Sequence, residues 1–231
     1  AIPTPEVALL RTDLNVPVMT FLTETDVLLL GYFNARQPDT DLLRTWEVAG
    51  TAHGDYYTFV SGRNDDVGDP SFASVVEETS VGGVITCDKP MNNGPQHYVF
   101  NRAVRDLNAW VAGGPAPATS PRLELNDDAS DYVYDPSGNA MGGIRTPYVD
   151  APSAVLRGEV NAGNSFCRLF GTTALFDAAQ MASLYVDQAG FVAAVTQATN
   201  AAVAAGFLLQ EDADAIIAWA PQQWLAQTAI K

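Results

Sequence analysis

The chain has 231 residues, 47% of them apolar and 17% charged, which is enough to bury one sizeable core and excludes a disordered chain. Its formal net charge of −15 makes a surface that repels phosphate backbones and so argues against nucleic-acid binding. With Lys89 and Lys231 as the only lysines there is no polybasic patch for anionic lipid, and no apolar run reaches the roughly 20 residues of a membrane span.

Taken in order, Val16 to Leu22 is a short apolar run that predicts a buried strand of a parallel sheet. The acidic stretch Thr23-Glu-Thr-Asp26 is expected to end it without helix. After the loop Arg36-Gln-Pro-Asp-Thr-Asp41, Leu42 to Val48 predicts a second strand, ending at Ala49-Gly-Thr-Ala-His-Gly-Asp55. Residues 61–93, rich in Gly, Asp, Asn and Ser, suggest a long excursion over the surface. Gly94-Pro95 then opens a helix in which Val99, Ala103, Val104, Leu107, Trp110 and Val111 recur at helical spacing, stopped by Gly113-Gly114.

Pro115 to Pro121 is a proline-rich connector. Arg122–Leu125 and Asp131–Tyr134 suggest short strands around turns, and Asp135-Pro-Ser-Gly-Asn139 is a turn. Helices are expected over Phe176–Tyr185, over Phe191–Ala205, and from near Glu211 to Pro221. The domain reading is therefore an α/β core over 1–114 and a mixed, then helical, extension over 115–231 packed on it.

Two histidines make the list of candidate bases complete. His53 follows the second strand in a glycine-flanked loop, and loops at the carboxyl ends of parallel strands are where α/β folds place catalytic groups. Asp26 and Glu24 follow the first strand, at the same edge if the strands are parallel neighbours. Acid first, histidine one strand unit later, is the order of α/β-hydrolase triads. Asp26 is the favoured acid and Glu24 the alternative, one of the two serving only as a cap or a solvated carboxylate. His97, in the first turn of its helix, reads as a partly exposed residue packing on Tyr98 or Trp110, its pKa lowered by the helix N-terminus.

Asn64 to Asp69 and Asn126-Asp-Asp128 gather oxygens without the spacing of an EF-hand, and no Cys/His pairing suits zinc. No cofactor or metal is called for. Cys87 and Cys167, each in a Gly/Asn-rich loop, could form one bridge or remain two separate thiols; a bridge would go with export rather than a cytoplasmic location. No G-x-S-x-G elbow is present, the nearest fragments being Gly68-Asp-Pro-Ser71 and Gly163-Asn-Ser165.

The runs Thr23-Glu-Thr-Asp26, Trp46-Glu-Val-Ala-Gly-Thr-Ala-His53, Asn93-Gly-Pro-Gln-His97, Gly138-Asn-Ala-Met-Gly-Gly-Ile-Arg-Thr-Pro147 and Phe166-Cys-Arg-Leu-Phe-Gly171 resemble the C-terminal half of bacterial alpha/beta hydrolase domain-containing proteins. The resemblance implies the last parallel strands and helix of an α/β-hydrolase fold. It also implies His53 as the triad histidine, Asp26 as its acid, and a serine elbow before Ala1. The start at Ala1-Ile-Pro3, without Met, reads as a cut or processed product.

The expectation is a carboxylic ester hydrolase fragment, inactive alone, whose partner is the complementary half and whose substrate is a small ester. Acyl transfer to an alcohol by the same triad is a weaker variant. The rival is a non-catalytic binding module that uses the Gly/Asp-rich loops and the C-terminal helices; reaction with a serine-directed probe separates the two.

Overall fold

The computed structural model of the protein describes residues 6–61, 69–94 and 96–229. Its centre is a parallel pair, β1 (Val18–Thr23) and β2 (Leu43–Val48), in register from Val18 opposite Leu43 to Thr23 opposite Val48. β1 starts two residues later than the apolar run because Pro17 has no N–H for the ladder. Val18 supplies the first one, donating to the Leu42 carbonyl at 2.8 Å.

The acidic stretch after β1, expected to be non-helical, winds instead into a π-type turn over Thr25–Leu29. Leu30 N–H reaches back five residues to the Thr25 carbonyl at 3.0 Å, and fully buried Val27 anchors the turn in the core.

All six residues of β2 are buried, among them Arg44, Thr45 and Glu47. Such a strand is tolerable only if its polar groups are satisfied. The proline-rich connector does part of this, with Arg44 Nε donating to the Pro117 carbonyl and Trp46 Nε1 to the Ala118 carbonyl, both at 2.8 Å. Arg36 binds Glu47 through two nitrogens at 2.8 and 2.6 Å, and Leu123 N–H donates to the same carboxylate. The far edge of β2 is covered by residue 144, whose N–H donates to the Glu47 carbonyl at 2.7 Å. No strand pairs with the outer edge of β1 among the described residues.

A short helix, α1 (Tyr56–Val60), comes after the His53 loop. Residues 62–68, part of the expected surface excursion, lie outside the described residues, as does the Asn64–Gly68 part of the first oxygen cluster. The rest of that excursion is not superficial. It carries a small hairpin, β3 (Ser80–Val81) with β4 (Ile85–Thr86), and buries Val75, Met91 and Asn92. Helix α2 (Gln96–Val111) lies where the periodicity places it and ends at Gly113 with φ of +90°. Only part of its apolar set is inside: Val99, Ala103 and Trp110 are buried, while Phe100, Val104 and Val111 are at least half exposed.

The short strands expected at 122–125 and 131–134 are single bridges, Leu123 with Gly142, Leu125 with Tyr132 and Tyr134 with Ala140. Each is cut short by the turn next to it. After α3 (Pro147–Asp150), an antiparallel pair of four-residue strands forms that the sequence pattern did not announce, β5 (Ala154–Arg157) with β6 (Thr172–Leu175).

The chain ends in α4 (Ala178–Tyr185), α5 (Gln188–Ala204) and α6 (Gln210–Thr228). Asp177 and Gln180 form a capping box on α4, and Asp187 caps α5 through Gly190 N–H at 2.8 Å. Helix α6 does not stop at Pro221 but runs seven residues past it. The lost backbone bond is offset by Gln223, which is buried and both accepts from Val75 N–H at 2.9 Å and donates to its carbonyl at 3.0 Å. The largest core cluster runs without a break from Trp46 and Val48 through Tyr98 and Leu156 to Ile216.

Candidate functional site

The parallel register sends the loops after β1 and β2 out of the same sheet edge. Asp26 is in the turn after β1, and His53 is five residues past β2. Asp26 Oδ1 lies 2.6 Å from His53 Nδ1. The other carboxylate oxygen, Oδ2, accepts from Thr23 N–H at 2.8 Å and from the Thr23 hydroxyl at 2.7 Å, so the acid cannot swing. A carboxylate only accepts, which assigns the hydrogen to Nδ1 and leaves Nε2 as the basic nitrogen. Nε2 has no hydrogen-bond partner among the described residues, and the His53 side chain is half exposed. The His53 main chain is also held, its N–H donating to Thr25 Oγ1 at 3.1 Å. Gly54 N–H then donates to the Leu169 carbonyl at 2.9 Å.

Glu24 does not reach the imidazole. It is fully buried, with Oε1 accepting from Gly50 N–H at 2.6 Å and Oε2 from Gly158 N–H at 2.7 Å. Its own N–H donates to the Thr51 carbonyl, and the Tyr132 hydroxyl donates to its carbonyl. Of the two candidate acids, then, one is bonded to His53 and the other binds the backbone beneath it. Residue 158 has to be glycine, since a Cβ there would stand 2.4 Å from Glu24 Cβ and 2.5 Å from the Thr51 carbonyl oxygen.

Burial pushes the Glu24 carboxyl up from 4.5 to about 7, against the two N–H donors that pull it down. A carboxyl with a raised pKa holds its proton more tightly in the folded chain. Its stabilising contribution is therefore fully present below about 4.5 and is lost as pH rises through about 7, a change of about 3 kcal/mol. The stability of the wild type relative to Glu24→Gln, which does not titrate, should fall by that amount between pH 4.5 and 8 in urea denaturation. A difference that stays constant with pH would show that the carboxyl titrates normally.

His53 and Asp26 open onto a cleft of about 520 Å³, whose other walls include Phe21, Tyr57, Thr58, His97 and Phe100. Asp55 caps α1 there, its Oδ1 accepting from the Thr58 N–H and hydroxyl at 2.8 and 2.6 Å, and burial raises its pKa. His97 stacks on Tyr57 with ring centroids 3.6 Å apart and packs on Tyr98, but not on Trp110. Both its ring nitrogens are shut off from solvent without a partner, and burial, not the helix N-terminus, drives its pKa down to about 3. It is thus a neutral wall of the cleft and far from the role of a base.

Among the described residues no group of His, Cys, Asp and Glu is gathered to hold a metal ion. Asn126 and Asp128 spend their oxygens on the N–H groups of Ser130 and Asp131 in a local turn. Cys87 and Cys167 are joined as a disulfide. The bridge fastens the turn over Ser165–Leu169 whose last carbonyl receives Gly54 N–H. Thr25 and Gly50 lie within the runs that carry the resemblance but were not singled out for the site, whereas Gly158, 134 positions from Glu24, and Tyr132 carried no signal in the sequence.

No curated protein and no solved structure matches the chain. The family model described as "Alpha/beta hydrolase domain" matches residues 1–218, a span that includes both loops, the cleft and the disulfide. An acid after one parallel strand and a histidine after the next fit that match, and the chain belongs to the alpha/beta hydrolase domain family.

Proposed function

We propose that the chain contributes the acid and histidine of a serine ester hydrolase. The observation that carries this is the 2.6 Å bond between Asp26 Oδ1 and His53 Nδ1, which turns a free, basic Nε2 toward a cleft. In the reaction His53 Nε2 takes the proton of an attacking serine hydroxyl as the serine oxygen bonds the ester carbonyl carbon. The imidazolium, stabilised by Asp26, then returns the proton to the departing alcohol. Water repeats the two steps on the acyl-enzyme and releases the acid.

On this reading the nucleophile comes from a complementary segment or chain; among the described residues no serine bonds His53 Nε2, and Ser61, which lines the cleft, makes no bond to it. Support for such a partner lies in the outer edge of β1, a row of backbone groups with no strand beside it among the described residues. Along α2, Phe100, Val104 and Val111 add an exposed apolar stripe, tied to β1 where Phe100 meets Phe21 edge to face at 5.2 Å. The substrate is a small or medium carboxylic ester. No helix among the described residues is long and apolar enough to cross a membrane, and the disulfide suits an exported protein.

A fluorophosphonate probe should label one serine in the complete assembly and none in this chain alone. Labelling of a serine within residues 1–231 would refute the assignment of the nucleophile to a partner, and no labelling in any assembly would refute a serine hydrolase.

A further inference from the structure

We infer that Glu24 is a positioning residue for the Asp26–His53 pair, its buried carboxylate locking together the two loops that carry them. This rests on the hydrolase reading for its effect on turnover, but the geometry stands without it.

The links form a closed ring. Glu24 Oε2 accepts from Gly158 N–H, the Gly158 carbonyl accepts from the Thr25 hydroxyl, and Thr25 Oγ1 accepts from His53 N–H. Three residues before His53, Gly50 N–H donates to Glu24 Oε1 and closes the ring. Thr25 is the chain neighbour of Asp26. Thus the acid, the histidine and the residue 158 loop are all tied to a single carboxylate.

Only a carboxyl group, whose two oxygens can both accept, suits this place. Two N–H donors, from Gly50 and the distant Gly158, converge on two oxygens of one side chain at 2.6 and 2.7 Å. An amide offers one acceptor and would set its own N–H against the second donor. A fully buried carboxylate is costly, and an apolar residue would fill the volume at lower cost but leave both N–H groups unpaired. The backbone of Gly158 approaches Glu24 and the Thr51 carbonyl oxygen too closely for any side chain there, so this contact depends on glycine. Displacement of either strand-end loop by even about 1 Å would misalign the nitrogen that must meet the nucleophile, a fault that lowers turnover more than binding.

The test uses the full chain in its active assembly, with Glu24→Gln and Thr25→Val, the second breaking the ring at another link. Two readouts are taken after each variant's folding is checked by thermal unfolding. One is the low-field proton resonance of His53 Nδ1–H on Asp26, assigned by its loss in His53→Ala with this chain, which has two histidines, isotopically labelled. The other is kcat and KM for p-nitrophenyl acetate. Glu24→Gln should shift or broaden the resonance and lower kcat by about 10- to 100-fold with KM within about threefold; Thr25→Val should do the same to a smaller extent. An unchanged resonance and a kcat within twofold of wild type in the folded Glu24→Gln protein would overturn the inference. Should Glu24→Gln fail to fold, Thr25→Val decides by the same criteria. If the wild type hydrolyses no ester, the hydrolase reading fails separately, and the resonance alone decides the positioning role.

Discussion

Replacing His53 by alanine in the complete assembly should lower kcat for an activated ester by about 10⁴-fold, roughly 5.5 kcal/mol of transition-state stabilisation, with the fold intact. The side chain is half exposed and makes one hydrogen bond, so its removal opens no cavity and breaks no core contact. Asp26→Asn should be nearly as damaging, for a reason readable in the site. Oδ2 of Asp26 accepts from both the N–H and the hydroxyl of Thr23. Asparagine must keep its oxygen there, because its amide nitrogen would face the Thr23 N–H. The amide NH₂ is then turned toward His53 Nδ1, which can only accept it, and the hydrogen moves to Nε2. The base is left in the wrong tautomer for taking a proton. Steady-state kinetics with thermal unfolding as the control check both variants; a His53→Ala protein that retains more than about a tenth of the activity would exclude His53 as the base.

The same pair marks how far the sequence reaches. Strand β1 was legible as a short apolar run and β2 through Leu42, Leu43, Trp46 and Val48, despite the buried Arg44, Thr45 and Glu47 between them, and their acid-then-histidine order followed from chain direction alone. The sequence favoured Asp26 over Glu24, which is two residues away, but could not show what divides them in space. What separates them is the π-type winding over Thr25–Leu29, which folds Asp26 back onto Thr23 and carries Glu24 beneath the loop. That winding depends on Val27 finding the core, a tertiary fact. Strands β5 and β6 escaped for a related reason. Each has four residues, and what makes them strands is mutual pairing across 14 intervening positions, with no periodicity long enough to register. In α6 the sequence misled outright. Pro221 usually ends a helix, but here Gln223 gains two bonds to Val75, a partner 148 positions away.

The largest expected effect on stability belongs to the disulfide. Cys87 and Cys167 are 80 positions apart, and closing a loop of that length removes about 4.5 kcal/mol of chain entropy from the unfolded state. The native side adds little against this, because both cysteines are buried and the bridge sits in its own apolar cluster with Val81, Ile85, Met91 and Phe170. Cys87→Ala with Cys167→Ala should therefore lose about 3 to 4.5 kcal/mol in urea denaturation, a large part of the stability of a chain this size. Activity should suffer beyond what unfolding explains. The bridge anchors the Ser165–Leu169 turn, whose end receives Gly54 N–H and places Phe170 against Gly54, the neighbour of His53. Without it, the β2 loop keeps its Glu24 and Thr25 bonds but loses the brace on its far side. Assayed where both proteins are folded, the bridgeless variant should show a lower kcat and a broadened His53 resonance. A variant as stable as wild type would mean that the reduced, unfolded chain is already constrained over residues 87–167. One that is less stable but catalytically unchanged would confine the bridge to holding the fold.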